Sequence, residues 1–238
     1  VPLSIPKGGV FVDTLKTIAV LHSDFPQKFG IPRQSGMVED LSAAVVLEPP
    51  YRSPEALRGL EEFSHLWLIW GFSQVRRQDW SPTVRPPRLG GNARLGVFAT
   101  RSPYRPNPLG LSSVRLKEIR QDPALGPVLY VLGADLMDGT PIYDIKPYLP
   151  YADSHPDARG GFAREAPAPA LEVAVEDRWL AVLPPESRAA LPRVLALDPR
   201  PAYQRDPLRV YGMAYAGCQV RFRVEGNMLI VLEIVRAP

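Results

Sequence analysis

Apolar residues recur at alternate positions in short runs along the chain, and each run stops at a glycine, a proline or a polar cluster. That period and those stops predict strands joined by turns. Thr17 to His22, Ala43 to Leu47, Arg94 to Thr100, Ser112 to Ile119 and Val128 to Asp135 fit it. Phe63 to Phe72 is apolar on both faces and short, which predicts a strand buried on both sides. Ser53 to Leu60 reads as a helix, with Ser53 as cap, Pro54 at the first position and Glu55 in the first turn. Gly30 to Gly36 is a loop, and Gly139, Pro141, Pro147 and Pro150 punctuate the stretch from Asp135 to Pro150. Short strands between such turns predict a mainly β protein with a barrel or sandwich core.

The pattern changes near Pro150. Tyr151 to Ala170 is rich in serine, glycine, proline and alanine and reads as a linker or long loop. Val173 to Val182 and Glu186 to Leu197 then read as helices. Val210 to Tyr215, Cys218 to Val224 and Met228 to Val235 read as strands, with Glu225-Gly226-Asn227 as a hairpin turn. The organisation predicted is a β domain over residues 10–155, a linker over 156–171 and a small α+β domain over 172–238.

Twenty-eight prolines in 238 residues argue against long helices, and so against bundles and coiled coils. The single cysteine, Cys218, excludes an internal disulfide and a multi-cysteine zinc site. No apolar run reaches the ~20 residues of a membrane helix, and the first residues show no secretory leader. These features predict a cytoplasmic protein. The net charge is only +3, but it is unevenly spread. From Trp80 to Lys117 there is no acidic residue, while Arg85, Arg88, Arg94, Arg101, Arg105, Arg115 and Lys117 are all cationic. Arginine forks match phosphate and carboxylate oxygens, so this window predicts an anion-binding surface, with nucleic acid as the leading candidate.

The motifs of the common enzyme classes are missing. There is no G-x-G-x-x-G between a strand and a helix, no P-loop, no H-E-x-x-H and no G-x-S-x-G. His22, His65 and His155 are far apart in the chain. Three segments place polar groups on stiff loops beside strands, as a rigid scaffold presents a binding site. They are Pro32 to Gly36, Gly96 to Gly110, and Asp135 to Pro141 continuing through Tyr143-Asp144-Ile145-Lys146-Pro147-Tyr148. Read alone, they leave open a non-enzymatic RNA-binding module, or a hydrolase that holds a metal on Asp135 and Asp138.

Longer strings narrow the choice. Pro32-Arg33-Gln34, Leu60-Glu61-Glu62-Phe63-Ser64-His65-Leu66-Trp67, Arg85 to Asn92, Gly96-Val97-Phe98-Ala99-Thr100-Arg101-Ser102, Arg105-Pro106-Asn107-Pro108 and Asp144 to Tyr148 resemble the TsaA-like family, the TrmO group of tRNA methyltransferases. Asp198-Pro199-Arg200-Pro201-Ala202-Tyr203 resembles the C-terminal extension of its longer bacterial members, so the resemblance runs from about Thr17 to the end. It implies a β-barrel in place of a Rossmann fold. It implies a homodimer with S-adenosyl-L-methionine bound near the subunit interface, and methylation of N6 of threonylcarbamoyladenosine, 3′ of the anticodon. The cofactor residues implied are Gln34, Ser35, Gly36, Ser73, Gln74, Arg101, Leu111, Asp135, Leu136, Met137 and Asp138. The chemistry of the acceptor adds Asp144 as a base and Lys146 as a cation beside the carbamoyl oxygen. Arg85, Arg88, Arg94 and Arg105 would hold the phosphates of the tRNA anticodon stem-loop, and Tyr104 would stack on a loop base. The first strand departs from the family by ending Leu21-His22-Ser23-Asp24-Phe25 where relatives often carry an Arg-Ser-Pro string.

Overall fold

A computed structural model describes residues 14–74, 80–86, 89, 93–164, 171–201 and 206–237. Six strands close into an antiparallel barrel: β1 (Ala19–Ser23), β2 (Ser42–Leu47), β3 (His65–Gly71), β6 (Leu109–Asp122), β7 (Gly126–Leu132) and β8 (Thr140–Pro147). Their order around the barrel is β1-β2-β7-β6-β3-β8. A two-stranded ribbon, β4 (Thr83–Val84) with β5 (Leu95–Gly96), lies in the excursion between β3 and β6. Alternation sets what faces inward: in β2, Ala43, Val45 and Leu47 are buried and their neighbours half-buried. Leu21, Val45, Leu66, Leu68, Val114, Leu129, Val131 and Ile142 fill the barrel. Each fully buried side chain of this size contributes about 1.5–3 kcal/mol relative to exposure.

At one end of the barrel β2 and β3 join over residues 48–64, through three 3₁₀ turns. β6 and β7 join through a tight turn in which Asp122 Oδ1 accepts the N–H groups of Ala124 and Leu125 at 2.8 and 2.9 Å. At the opposite end lie three long connections, over residues 24–41, 72–108 and 133–139. This end carries the site described below.

The C-terminal part is a four-stranded sheet in the order β10 (Tyr211–Tyr215), β11 (Cys218–Glu225), β12 (Met228–Arg236), β9 (Glu172–Ala174), with two short helices, α2 (Asp177–Leu180) and α3 (Ala190–Ala196). α1 (Pro150–Asp153) follows the barrel, tied to it where Asp153 Oδ2 accepts from Trp67 Nε1 and Leu149 N–H, both at 2.9 Å. At the end of α3, Asp198 adopts a left-handed φ of 52° and receives Arg200 in a fork at 2.8 and 2.9 Å. Ala202 and Tyr203 of that motif lie outside the described residues.

Several local expectations are overturned. Val173 does not begin a helix: Glu172–Ala174 pairs in parallel with Met228–Ile230, and only Asp177–Leu180 is helical. The second helix starts at Ala190, after a 3₁₀ turn at Pro185–Ser187. Ser53 to Leu60 is a 3₁₀ turn over Pro54–Leu57 without a Ser53 side-chain cap, stopped by Gly59 at φ 82°. Arg94 to Thr100 keeps two strand residues and then turns as 3₁₀ over Val97–Ala99. Thr140–Pro147, read as punctuation, is a barrel strand.

Candidate active site

The three long connections bring together residues that are distant in sequence. Asp135, just past β7, is the hub. Ser112 Oγ donates to its carboxylate at 2.6 Å, and Ser112 in turn accepts Trp70 Nε1 at 3.0 Å. The Asp135 carboxylate also accepts the Ser35 N–H and sits in the field of Arg101. Arg101 donates to Gln34 Oε1 at 2.5 Å, and Gln34 Nε2 donates to Arg33 O. Gly36 N–H binds Gly133 O at 2.9 Å, joining the first loop to the third. The Trp70 indole is seated by sequence: it lies opposite Gly110, where a Cβ would collide with the ring.

Burial dominates at Asp135 and raises its pKa, while the Ser112 hydroxyl, the backbone N–H groups and the Arg101 charge pull it down. The group is a half-buried carboxylate whose charge depends on those donors. Beside it, Asp138 lies 3.1 Å from His22 Nδ1 and accepts the Ser23 N–H at 3.2 Å. Ser23 Oγ donates to Leu136 O at 2.8 Å. The divergent end of β1 is thus tied to the acidic loop.

The predicted cofactor residues separate into groups. Gln34, Ser35, Gly36, Arg101 and Asp135 form the connected cluster just described. Leu136 is a core side chain, and Met137 gives its carbonyl to Thr140 Oγ1 at 2.6 Å. Ser73 and Gln74 form an exposed turn after β3. Leu111 points outward, half exposed, in a row with Ile69 and Asp144 across β6, β3 and β8. Asp144 and Lys146 form an ion pair at 2.9 Å on the outer face of β8, and among the described residues no hydrogen bond or ion pair joins them to the Asp135 cluster.

Among the predicted substrate residues, Arg85, Arg94 and Tyr104 are exposed on the 72–108 excursion. Arg88 lies outside the described residues. Arg105 is partly buried and braces its own loop. Its Nη1 reaches Val97 O at 3.2 Å and Thr100 O at 2.6 Å, and its guanidinium lies 5.6 Å from the Phe98 ring centroid. Sequence reasoning missed Ser112, Trp70 and the Trp80–Phe98 pair. Those two rings stack at 6.3 Å and are 48% and 70% exposed. An inward-facing serine in an apolar strand was the signal for Ser112, since a buried hydroxyl needs a partner.

This arrangement suits a small zwitterion with an attached ribose. Arg101 offers a guanidinium fork to a carboxylate. Asp135 offers a shielded acceptor for an ammonium or hydroxyl, and Gly36, two residues from the Gln34 that Arg101 holds, is exposed with open space where a Cβ would stand. Among the described residues no group of three or more His, Cys, Asp or Glu side chains has metal-binding geometry. No helix among them is long and apolar enough to cross a membrane.

Comparisons with known proteins agree over both parts of the chain. The profile of the tRNA-methyltransferase O N-terminal domain matches residues 20–154, and that of the TrmO C-terminal domain matches residues 170–237. A relative from Escherichia coli, named tRNA (adenine(37)-N6)-methyltransferase, is 46% identical over 218 residues, covering 87% of this chain and 91% of its own. One of the same name from Eikenella corrodens is 52% identical over 174 residues, covering 73% and 97%. A crystal structure of TrmO from Pseudomonas aeruginosa superposes with a TM-score of 0.74 at 33% identity, covering 95% of this chain and all of that one. With both domains matched in order and the barrel shared, the chain belongs to the tRNA-methyltransferase O family.

Proposed function

We propose that the protein transfers a methyl group from S-adenosyl-L-methionine to N6 of adenine 37 in tRNA, with threonylcarbamoyladenosine as the acceptor. The observation that carries the reading is the Gln34–Arg101–Asp135–Ser112 cluster at one end of a closed barrel, in a chain of this family. When bound, S-adenosyl-L-methionine supplies an electrophilic methyl on a sulfonium. The chain's own part is positioning and electrostatics. Arg101 holds a carboxylate, steadied by Gln34. Asp135, whose ionised form the Ser112 hydroxyl and the Ser35 N–H favour against burial, faces the cationic side of the ligand.

The acceptor nitrogen lies between an adenine ring and a carbamoyl carbonyl, which drain its lone pair. Asp144 removes its proton and Lys146 stabilises the developing charge, each contribution being on the order of 10²–10³-fold. Their place on the outer wall beside Leu111 supports a site completed across a homodimer. Arg85, Arg88 and Arg94 hold backbone phosphates, and Tyr104 stacks on a loop base. Arg105 joins those arginines from the Val97–Thr100 turn that it pins. The stacked Trp80–Phe98 pair extends the same surface with exposed rings on which unpaired bases can lie. The protein works in the cytoplasm, where its tRNA substrate resides. Residues 10–155 and 172–238 form two domains joined by 156–171, with Phe25, Val38 and Leu41 of the first buried in the core of the second.

The test is nucleoside mass spectrometry after incubation with isotopically labelled S-adenosyl-L-methionine. Label appears on threonylcarbamoyladenosine and not on tRNA lacking that group. Label in both, or in neither, refutes the substrate assignment. Light scattering at a mass of two chains supports the dimer, and a monomer at working concentration excludes it.

A further inference from the structure

The connection over residues 24–41 is long for a compact domain, and a segment of that length needs anchors to stay ordered. Backbone bonds tie it to the 133–139 connection, but its apolar anchors lie outside the barrel. Phe25, Val38 and Leu41 are buried in the C-terminal core, and Phe29 and Ile31 pack against it. Phe25 meets Tyr215 edge to face at 5.3 Å, and Phe29 stacks on Phe222 at 6.4 Å and 10°. Gly30 takes a φ of 95° directly over Met213, whose sulfur a Cβ there would strike. Asp40 pairs with Arg193 at 2.7 Å, and Ala216 N–H donates to Asp24 O at 2.8 Å. On its other side the same connection carries Gln34, Ser35 and Gly36 into the candidate site.

Charge argues against the C-terminal sheet being an RNA surface. Residues 172–238 hold nine arginines and eight acids, against seven cations and no acid in the 80–117 window. Five of those nine arginines, Arg178, Arg193, Arg200, Arg221 and Arg223, are paired with acids.

We propose that the C-terminal sheet positions the methyl-donor loop: Met213 and Phe222 seat Gly30 and Phe29, and so hold Gln34 and the Ser35 N–H where they bind the donor. This rests on the reading that the 34–36 loop holds S-adenosyl-L-methionine. Met213 and Phe222 are positioning residues, acting through the loop. If loosening the seat leaves the loop correctly placed one-fifth of the time, the apparent donor Kd rises fivefold.

The experiment uses the full chain. Phe29→Ala removes the stack from the loop side, and Met213→Ala removes the seat from the sheet side. Calorimetry gives the S-adenosyl-L-methionine Kd, and anisotropy gives the tRNA Kd without donor. The expected result is a donor Kd raised at least fivefold in both variants, tRNA affinity within twofold of wild type, and near-normal donor binding in Met213→Leu. If Met213→Ala does not fold, Met213→Val carries the same comparison. Leu229→Ala, a cut at the hairpin end of the same core, controls for general loosening. The proposal is overturned if the folded variants bind donor within twofold of wild type, if tRNA affinity falls in parallel, or if Leu229→Ala raises the donor Kd equally. Arg101→Ala separates the two readings. If it weakens donor binding while the seat variants do not, the site stands and the brace falls. If it leaves binding unchanged, the donor-site reading itself fails.

Discussion

Ser112→Ala is the sharpest probe of the site. The Ser112 side chain is 1% exposed and joins the Trp70 indole to the Asp135 carboxylate, at 3.0 and 2.6 Å. Removing the hydroxyl deletes a bond to a charged group, worth about 1.5–3 kcal/mol, and strands the Trp70 N–H, at about 1–3 kcal/mol. The two losses overlap, because Asp135 can turn toward remaining donors, so about 2–4 kcal/mol is expected. Against a total stability of about 5–15 kcal/mol this is large, and at this length it lowers Tm by roughly 5–15 °C. Urea unfolding measures it. A double-mutant cycle with Trp70→Phe isolates the indole's share: with no N–H to strand, Ser112→Ala should cost about 1–2 kcal/mol less. The hydroxyl also pulls the Asp135 pKa down against burial, so its loss lets that pKa climb further. Donor affinity in the variant should therefore begin to fall at a higher pH, as the pH is lowered, than in wild type. A stability change under 0.5 kcal/mol, or a cycle with no coupling, refutes the relay.

Four other outcomes follow from particular contacts. Asp24 is held above its ordinary pKa chiefly by burial, with Glu186 adding to the shift, while Ser187 and Tyr215 donate to it. Its charge therefore costs stability at neutral pH, so Asp24→Asn should melt higher than wild type at pH 7, and the gap should close as pH falls through the raised pKa; a pH-independent gap refutes this. Gly30→Ala forces a side chain into a left-handed φ and against Met213, and should cost about 2–4 kcal/mol in thermal melts; a wild-type melt contradicts it. The Leu149 N–H and the Trp67 indole hold the Asp153 pKa low, so its contribution is present above the unfolded carboxylate value and is lost as pH falls through the folded one. Tryptophan fluorescence should show that acid step in wild type and not in Asp153→Ala. Finally, tRNA affinity should fall by about 0.7–0.9 log unit per log unit of salt for each phosphate held, and a flat salt response excludes the arginine surface.

Elements were legible where local pattern and fold agree. Ser42–Leu47 and Cys218–Glu225 alternate cleanly because one face of each is core. Thr140–Pro147 was not legible, since Pro141 and Pro147 read as breakers. The strand tolerates them because each is laddered on one side only: Pro141 faces Val20 beyond the end of the β3 ladder, and Pro147 faces Leu66 beyond the end of the β1 ladder. Val173 looked helical because its strand partner, Leu229, lies 56 residues away and no local period records such a pairing. In the cluster, Gln34 and Arg101 lie in strings that resemble the family, and Asp135 lies in one of the stiff polar loops. Ser112 and Trp70 were hidden because their roles come from barrel register, which places them inward at one end. Arg105 carries a contact that the basic window did not record: backbone carbonyls within its own loop occupy its Nη1.

The barrel explains why the site is built from buried polar links and not from one motif. A closed antiparallel barrel has no helix N-terminus at a strand end to receive a nucleotide, as doubly wound folds do. Its binding groups must come from connections, and connections are mobile unless tied down. Among the described residues each is tied by a different device: the 24–41 segment by apolar anchors in the C-terminal core, residues 97–105 by Arg105 on two carbonyls, and the 133–139 turn by Ser23 and Thr140 on the Leu136 and Met137 carbonyls. Methyl transfer by in-line displacement asks a protein mainly for placement, so residues that never touch a ligand carry much of the rate. A substitution at Ser112 or Met213 should therefore weaken the enzyme without removing a ligand contact, because it lowers the fraction of molecules in which the contacts coexist.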